Sequence, residues 1–231
     1  MPDRRLAILE DLERSEDEVA AELAEIDELY ASGEQIRLAA HDLVDFLAKL
    51  PEGREAAARE IEESARALEE AGAVFESAEQ DLAAAEKTGD QEVLAAARRF
   101  HVRTRDTLHL AERRARAAEN HAAELEAAAT AAEGHVKELN ARAQELARVL
   151  GRRPRVALET QTAADATPAQ VAEWGTQVRA ALLVARSQVA VERDALVRQA
   201  NELASNVVGE PVAAMSAAGA ADLLRRTLDQ S

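Results

Sequence analysis

Residues 82–97, LAAAEKTGDQEVLAAA, decide how this chain folds, because they place a short polar break between two long helix-forming segments. Lys87 is a favourable cation for the end of a helix, Gly89 suits the conformation that follows a helix, and Asp90 can cap the next helix. A connection this short brings its two helices together as antiparallel neighbours. The sequence therefore predicts a helical hairpin with its tip near residues 88–90.

Apolar residues recur at steps near three and four on both sides of this break, which is the pattern of a coiled-coil seam. We therefore predict an antiparallel coiled-coil hairpin over residues 51–150. The seam of the first helix includes Ile61, Leu68, Phe75 and Leu82, and that of the second includes Phe100, Leu108, Leu125, Leu139 and Leu146.

Residues 1–50 show the same periodicity and are expected to form the N-terminal helix, or helices, of a bundle at the base of the hairpin. Two sites could interrupt this region. Gly33 lies in the seam without shifting its phase, which favours a continuous or gently bent helix. Pro51 is a firmer break because proline is disfavoured inside a helix but suits its first turn. The sequence leaves a kink and a reversal open at Pro51.

Residues 151–167 contain Gly151, Pro154 and polar residues without periodicity, which predicts a linker. The segment from Thr167 to Gln170 then combines a threonine cap, proline at the first helical position and a capping glutamine. We expect helices within residues 168–231 to pack on the base of the hairpin. The first should stop at residues 209–211, and a short helix should follow over about 216–229.

Composition supports an all-α, elongated molecule. Aromatic residues make up 2% of the chain and charged residues 31%, and alanine-rich helices with a helical period are typical of coiled coils. The absence of cysteine excludes disulfides and fits a reducing compartment. The first 18 residues lack the apolar core of a signal peptide. These features predict a cytoplasmic protein without a membrane span.

The net charge of −16 disfavours DNA, RNA and anionic lipid as partners of the whole surface. This charge is unevenly distributed: residues 1–92 hold 27 acidic and 9 basic side chains, whereas residues 93–155 hold 8 and 13. A pivot at Gly89 sets residue i near residue 178 − i, so basic and acidic segments face each other. We expect intramolecular pairing more than an acidic protein partner or nucleic acid. The candidate pairing or interaction stripe is Arg98, Arg99, Arg103, Arg105, Arg113, Arg114 and Arg116.

Residues suited to chemistry are sparse. His41 with Asp45, and Asp106 with His109, have spacings that can chelate a metal, but a di-metal helical bundle needs Glu-x-x-His motifs that do not occur here. No phosphate-binding or nucleophile motif is found. We predict no enzyme activity, cofactor or metal site. Trp174, the only tryptophan, should anchor its helix in the bundle, or alternatively form an interface anchor.

These observations favour a non-enzymatic coiled-coil scaffold, spacer or assembly subunit that acts through protein contacts. A homo-oligomer or a place in a larger assembly is expected. Two alternatives are a peripheral membrane-remodelling helical protein and a coiled-coil accessory subunit of an ATPase or nucleic-acid complex.

Overall fold

The fold is all-α in a computed structural model that describes residues 3–158, 162–208 and 215–229. Four helices occur in these ranges: α1 (Asp3–Thr88), α2 (Gln91–Leu150), α3 (Pro168–Val208) and α4 (Ala217–Asp229). They form a helical hairpin and a helical bundle, as the sequence predicts. None of the helices in the described ranges is both long and apolar enough to cross a membrane.

The chain divides into two compact units. The hairpin unit is residues 43–135, and the bundle unit combines residues 1–42 with residues 136–231. The boundaries differ from the predicted ones near residues 50 and 150. The C-terminal part of α2 belongs to the bundle unit because its side chains are buried there, among them Leu139, Leu146 and Leu150.

The tip of the hairpin has the predicted chemistry. α1 ends at Thr88, Gly89 has a φ of 72°, and α2 begins at Gln91. This left-handed conformation is one that glycine adopts without the steric cost of a Cβ. The Asp90 carboxylate accepts hydrogen bonds from the backbone N–H groups of Glu92 at 2.9 Å and Val93 at 3.3 Å. The prediction of a capped turn here is confirmed.

α1 continues through both suspected breaks. At Gly33 the prediction of a continuous helix is confirmed, and the glycine has a packing role. A Cβ there would lie 3.0 Å from Val178 Cγ1 and 3.7 Å from Leu146 Cδ2. The missing side chain therefore lets α1 approach α2 and α3 closely.

Of the two alternatives left open at Pro51, the reversal is excluded, because α1 continues through the proline as one helix. Pro51 is exposed, so the Leu47 carbonyl that it leaves without a helical partner can be hydrated. The adjacent Leu50 and the following Ala57 are buried in the seam. Packing on both sides of the proline thus outweighs its local cost.

Replacing Pro51 with alanine should therefore stabilise the protein by up to about 3 kcal/mol, since proline is that much poorer than alanine inside a helix. Urea unfolding followed by circular dichroism measures the change. Glu52→Ala is the control, because exchanging two good helix formers at an exposed position should change stability by less than about 0.5 kcal/mol. Destabilisation by Pro51→Ala would show instead that the packing requires a proline-induced bend.

The bundle unit uses alanine to bring helices close together. α4 packs with the start of α1 and the end of α3 in a cluster formed by Leu9, Ala200, Ala204, Ala217, Ala220, Ala221 and Leu224. α3 begins with the predicted capping box: Thr167 N–H donates to Gln170 Oε1 at 2.8 Å, and Gln170 N–H donates to Thr167 Oγ1 at 3.3 Å. The predicted stop at residues 209–211 lies outside the described residues.

The predicted linker is packed on the bundle unit. Arg155 forms ion pairs with Glu22 of α1 at 3.0 Å and Glu192 of α3 at 2.6 Å. Asn140 of α2 donates to the Ala166 carbonyl at 2.9 Å. Residues 151–158 and 162–167 thus lack helix, as predicted, but are held by specific contacts.

Candidate interaction surface

The two helices of the hairpin unit pair in nearly the predicted register. Glu60 contacts His121 at 3.1 Å, and the Phe75 and His101 rings lie 5.1 Å apart. Arg54 forms two hydrogen bonds of 2.7 Å with Glu126. Each of these pairs lies within about three residues of the predicted relation between i and 178 − i. The fold of the hairpin therefore brings the acidic part of α1 beside the basic part of α2.

The predicted arginine stripe lies on the exposed side of α2. Thr104, Ala111 and Ala118 mark the buried side of this helix. Residues 98–116 contain seven arginines and two acidic residues, so this stretch is locally basic in an acidic chain. The arginines are all exposed, and they are Arg98, Arg99, Arg103, Arg105, Arg113, Arg114 and Arg116.

The expected pairing of these arginines with α1 is not observed. Arg105 lies 3.6 Å from its neighbour Asp106, and the other six form no ion pair with any described residue. Two glutamates in the facing stretch of α1 are engaged elsewhere: Glu60 contacts His121, and Glu62 pairs with Arg66. Exposed ion pairs contribute only about 0–1 kcal/mol, so complementary sequence alone does not force them to form. The arginines remain available to a partner.

Exposed apolar side chains accompany these charges. Val74 of α1 is 48% exposed, and Phe100, Val102 and Leu110 of α2 are 43–44% exposed. Single exposed apolar residues are ordinary, whereas exposed apolar patches rimmed by polar residues mark interaction sites. Helical spacing could have identified Val102 and Leu110, because they fall outside the seam that buries Thr104 and Ala111. The prediction that Phe100 is buried in the seam is wrong, since this residue is 44% exposed although it lies one helical turn before Thr104.

Trp174 does not lie on an exposed surface. It is 4% exposed within the bundle unit, on the same face of α3 as the buried Val171, Val178 and Leu182. Its indole N–H has no hydrogen-bond partner among the described residues. This position corresponds to the predicted helix anchor. The alternative of an interface anchor stays a prediction, since Trp174 also lines a surface groove of about 320 Å³ beside residues 162–166.

The carboxyl groups with lowered pKa values lie in surface ion pairs. A hydrogen bond from Arg37 lowers the pKa of Glu34, and one from Arg148 lowers the pKa of Glu145. These shifts are caused mainly by neighbouring arginines and not by burial. No group of three or more histidine, aspartate or glutamate side chains that could hold a metal ion occurs in the described ranges.

The pair between Arg54 and Glu126 makes the hairpin unit sensitive to acid. A hydrogen bond from Arg54 lowers the pKa of Glu126 below its ordinary value of 4.5. The stability that this pair contributes is therefore fully present above the pKa that Glu126 has in the unfolded chain. It is lost as the pH falls through the lower pKa that Glu126 has in the folded chain. We expect the melting temperature of Glu126→Gln to fall less between about pH 6 and about pH 3 than that of the wild type. Glu124→Gln, at an exposed position without an ion pair in the described structure, should behave like the wild type.

Compared with known proteins, the chain matches no family model, no curated protein and no solved structure.

Proposed function

We propose that the protein is a non-enzymatic scaffold or assembly subunit whose hairpin unit binds other protein chains. The observation that carries this proposal is the surface of α2 between residues 98 and 116. Six arginines there have no ion-pair partner in the described structure, and exposed valine, leucine and phenylalanine lie beside them. Arginine and aromatic side chains such as phenylalanine are enriched in protein interfaces.

A protein partner fits this surface better than a nucleic acid. Nucleic-acid surfaces combine continuous positive charge with aromatic residues on which bases stack. Here Phe100 is the exposed aromatic residue of the stretch, and the adjacent α1 is rich in glutamate. An acidic helix of a partner protein can pair with the arginines of α2. Its carboxylates can lie opposite these arginines and away from the glutamates of the adjacent α1.

The bundle unit has surface grooves, but the groove lined by α1 and α2 holds few side chains that could act in catalysis. This groove of about 380 Å³ is lined mainly by apolar side chains of the two helices, with Arg142 and Glu145 at its edge. Catalytic groups are usually recognised by pKa values that burial and specific neighbours perturb together. The shift at Glu145 arises chiefly from its surface contact with Arg148. These features support a binding role over catalysis.

Site-specific photocrosslinking in cells tests the proposal. A photoreactive amino acid replaces Leu110 in the hairpin unit and, as the matched control, Val191 on α3. Both side chains are exposed and apolar, at 43% and 62%. We expect discrete protein adducts from position 110 that exceed those from position 191. Equal yields at the two positions, or no protein adducts at position 110, would contradict the proposal.

A further inference from the structure

The contact between Glu60 and His121 marks one side of the hairpin unit. Side chains that lie on the same side of a helix recur every three to four residues. From Glu60 this row continues along α1, and from His121 it continues back along α2. We call the combined rows the mixed-charge face, and its members are Glu63, Glu70, Val74 and Asp81 of α1 with Arg99, Arg103, Leu110 and Arg114 of α2.

The mixed-charge face is acidic along one helix and basic along the other. Every member is exposed, and none of its six charged side chains forms an ion pair with a described residue. Val74 and Leu110, at 48% and 43% exposure, add one exposed apolar side chain to each helix of the face. The opposite side of the hairpin, marked by Arg54 and Glu126, also has both charges, but the pair of Val74 and Leu110 is not on it.

We propose that the mixed-charge face binds the same face of a second copy of this chain. This inference rests on the proposed function and names its partner. A twofold axis parallel to the helices sets α1 of each copy against α2 of the other. The acidic row of each copy then meets the basic row of the other, and the dimer contains two such contacts. A twofold axis perpendicular to the helices would instead set acid against acid. Charge therefore selects a parallel dimer with both tips at the same end.

The register of the hairpin supports this arrangement. In the parallel dimer, helices of different copies are antiparallel, as they are within one copy. The same relation of i to 178 − i then sets Glu63 near Arg114, and Asp81 near Arg99, of the second copy. Val74 falls close to Arg103, whose aliphatic stem can cover it. The charged rows thus have partners in the dimer that they lack in one chain.

The size of the face predicts a weak, salt-sensitive dimer. Nineteen residues of helix span about 28 Å, and two helices about 9 Å apart give a footprint near 500 Å² per copy. A total near 1,000 Å² is the lower limit for a specific interface. We expect association at micromolar concentrations that weakens as salt screens the exposed charges.

Three triple variants of the full chain, measured by sedimentation velocity, test the inference. Arg99→Glu/Arg103→Glu/Arg114→Glu reverses the basic row. Arg98→Glu/Arg105→Glu/Arg116→Glu is the matched control, with the same change in net charge on other sides of α2. Circular dichroism checks that helix content is retained. We expect the first variant to weaken self-association at least about tenfold and the control to weaken it far less.

The third variant, which reverses the charges of the acidic row, gives the most discriminating measurement. Glu63→Arg/Glu70→Arg/Asp81→Arg should also lose self-association, but an equimolar mixture with the variant carrying the reversed basic row should form a heterodimer. Equal loss in the control, no recovery in the mixture, or a wild type that remains monomeric at low salt would overturn the inference. Crosslinking from position 110 only to another protein would also overturn it while leaving the proposed function intact. Binding of short double-stranded DNA that the control triple abolishes equally would assign the arginines to a polyanion instead.

Discussion

Replacing Trp174 with alanine is expected to lower the free energy of unfolding of the bundle unit by about 3–5 kcal/mol. The side chain is 4% exposed and continues the buried face of α3 formed by Val171, Val178 and Leu182. Its removal loses the apolar area that folding buries and leaves a cavity that the surrounding helices fill only partly. Urea unfolding followed by circular dichroism at the helix band measures the effect without depending on tryptophan fluorescence.

Val184→Ala is the control for this prediction. Val184 lies on the same helix but is 58% exposed, so its truncation should change stability by less than about 0.5 kcal/mol. A loss below about 1 kcal/mol for Trp174→Ala would contradict the role of an anchor. If stability were unchanged while self-association disappeared, Trp174 would have to serve an interface instead.

Replacing Glu16 with alanine is expected to cost about 1–3 kcal/mol and to release α4 first. The Glu16 carboxylate is buried and accepts a hydrogen bond of 2.6 Å from the Ala217 N–H, at the first residue of α4. It also lies 3.7 Å from Arg193 of α3. Because a helix N-terminus carries partial positive charge and unpaired N–H groups, this carboxylate caps α4 from α1. Without it, a buried N–H group loses its partner.

Hydrogen exchange followed by mass spectrometry locates this effect. Amides in residues 217–226 should exchange faster in Glu16→Ala than in the wild type, while the hairpin unit should be unchanged. Glu16→Gln keeps an acceptor oxygen and should lie between the two. Glu18→Ala removes a nearby exposed acid and serves as the control. Uniformly faster exchange across the chain would argue against a local capping role.

The turns and caps could be predicted because their signals are local. Gly89 defines the hairpin tip through its backbone conformation, and Asp90 does so through a carboxylate that accepts hydrogen bonds from the N–H groups of Glu92 and Val93. Thr167 and Gln170 form a capping box within four residues. The register of the hairpin followed from the position of the tip together with the seam periodicity. The all-α fold therefore needed no long-range information.

Other features depend on contacts that are distant in sequence. Pro51 indicates a break by its local preference, but the seam of which Leu50 and Ala57 are part keeps the helix continuous. The capping of α4 by Glu16 joins residues about 200 positions apart, and a single glutamate in an acidic helix gives no sign of it. Tertiary packing thus determines the continuity of α1 at Pro51 and the capping of α4, which local sequence preferences do not predict.

The candidate site was predictable in its location but not in its pairing. Charge counting identified the arginines of residues 98–116, and they are exposed on α2. It also suggested that they pair with α1, whereas six of them have no ion-pair partner in the described structure. Net charge over a segment does not determine which side of a helix each charge occupies. The rows that continue from Glu60 and His121 supply that information.

The distance between two hairpin tips tests the central claim most directly. The chain has no cysteine, so Gln91→Cys allows a single spin label beside the tip at an exposed position. In the parallel dimer the helices of the two copies lie about 9 Å apart, so double electron–electron resonance should give a label distance below roughly 35 Å. An antiparallel dimer centred on the same face would separate the tips by about 50 Å. A distance near that larger value, or no dipolar signal at concentrations well above micromolar, would contradict the account.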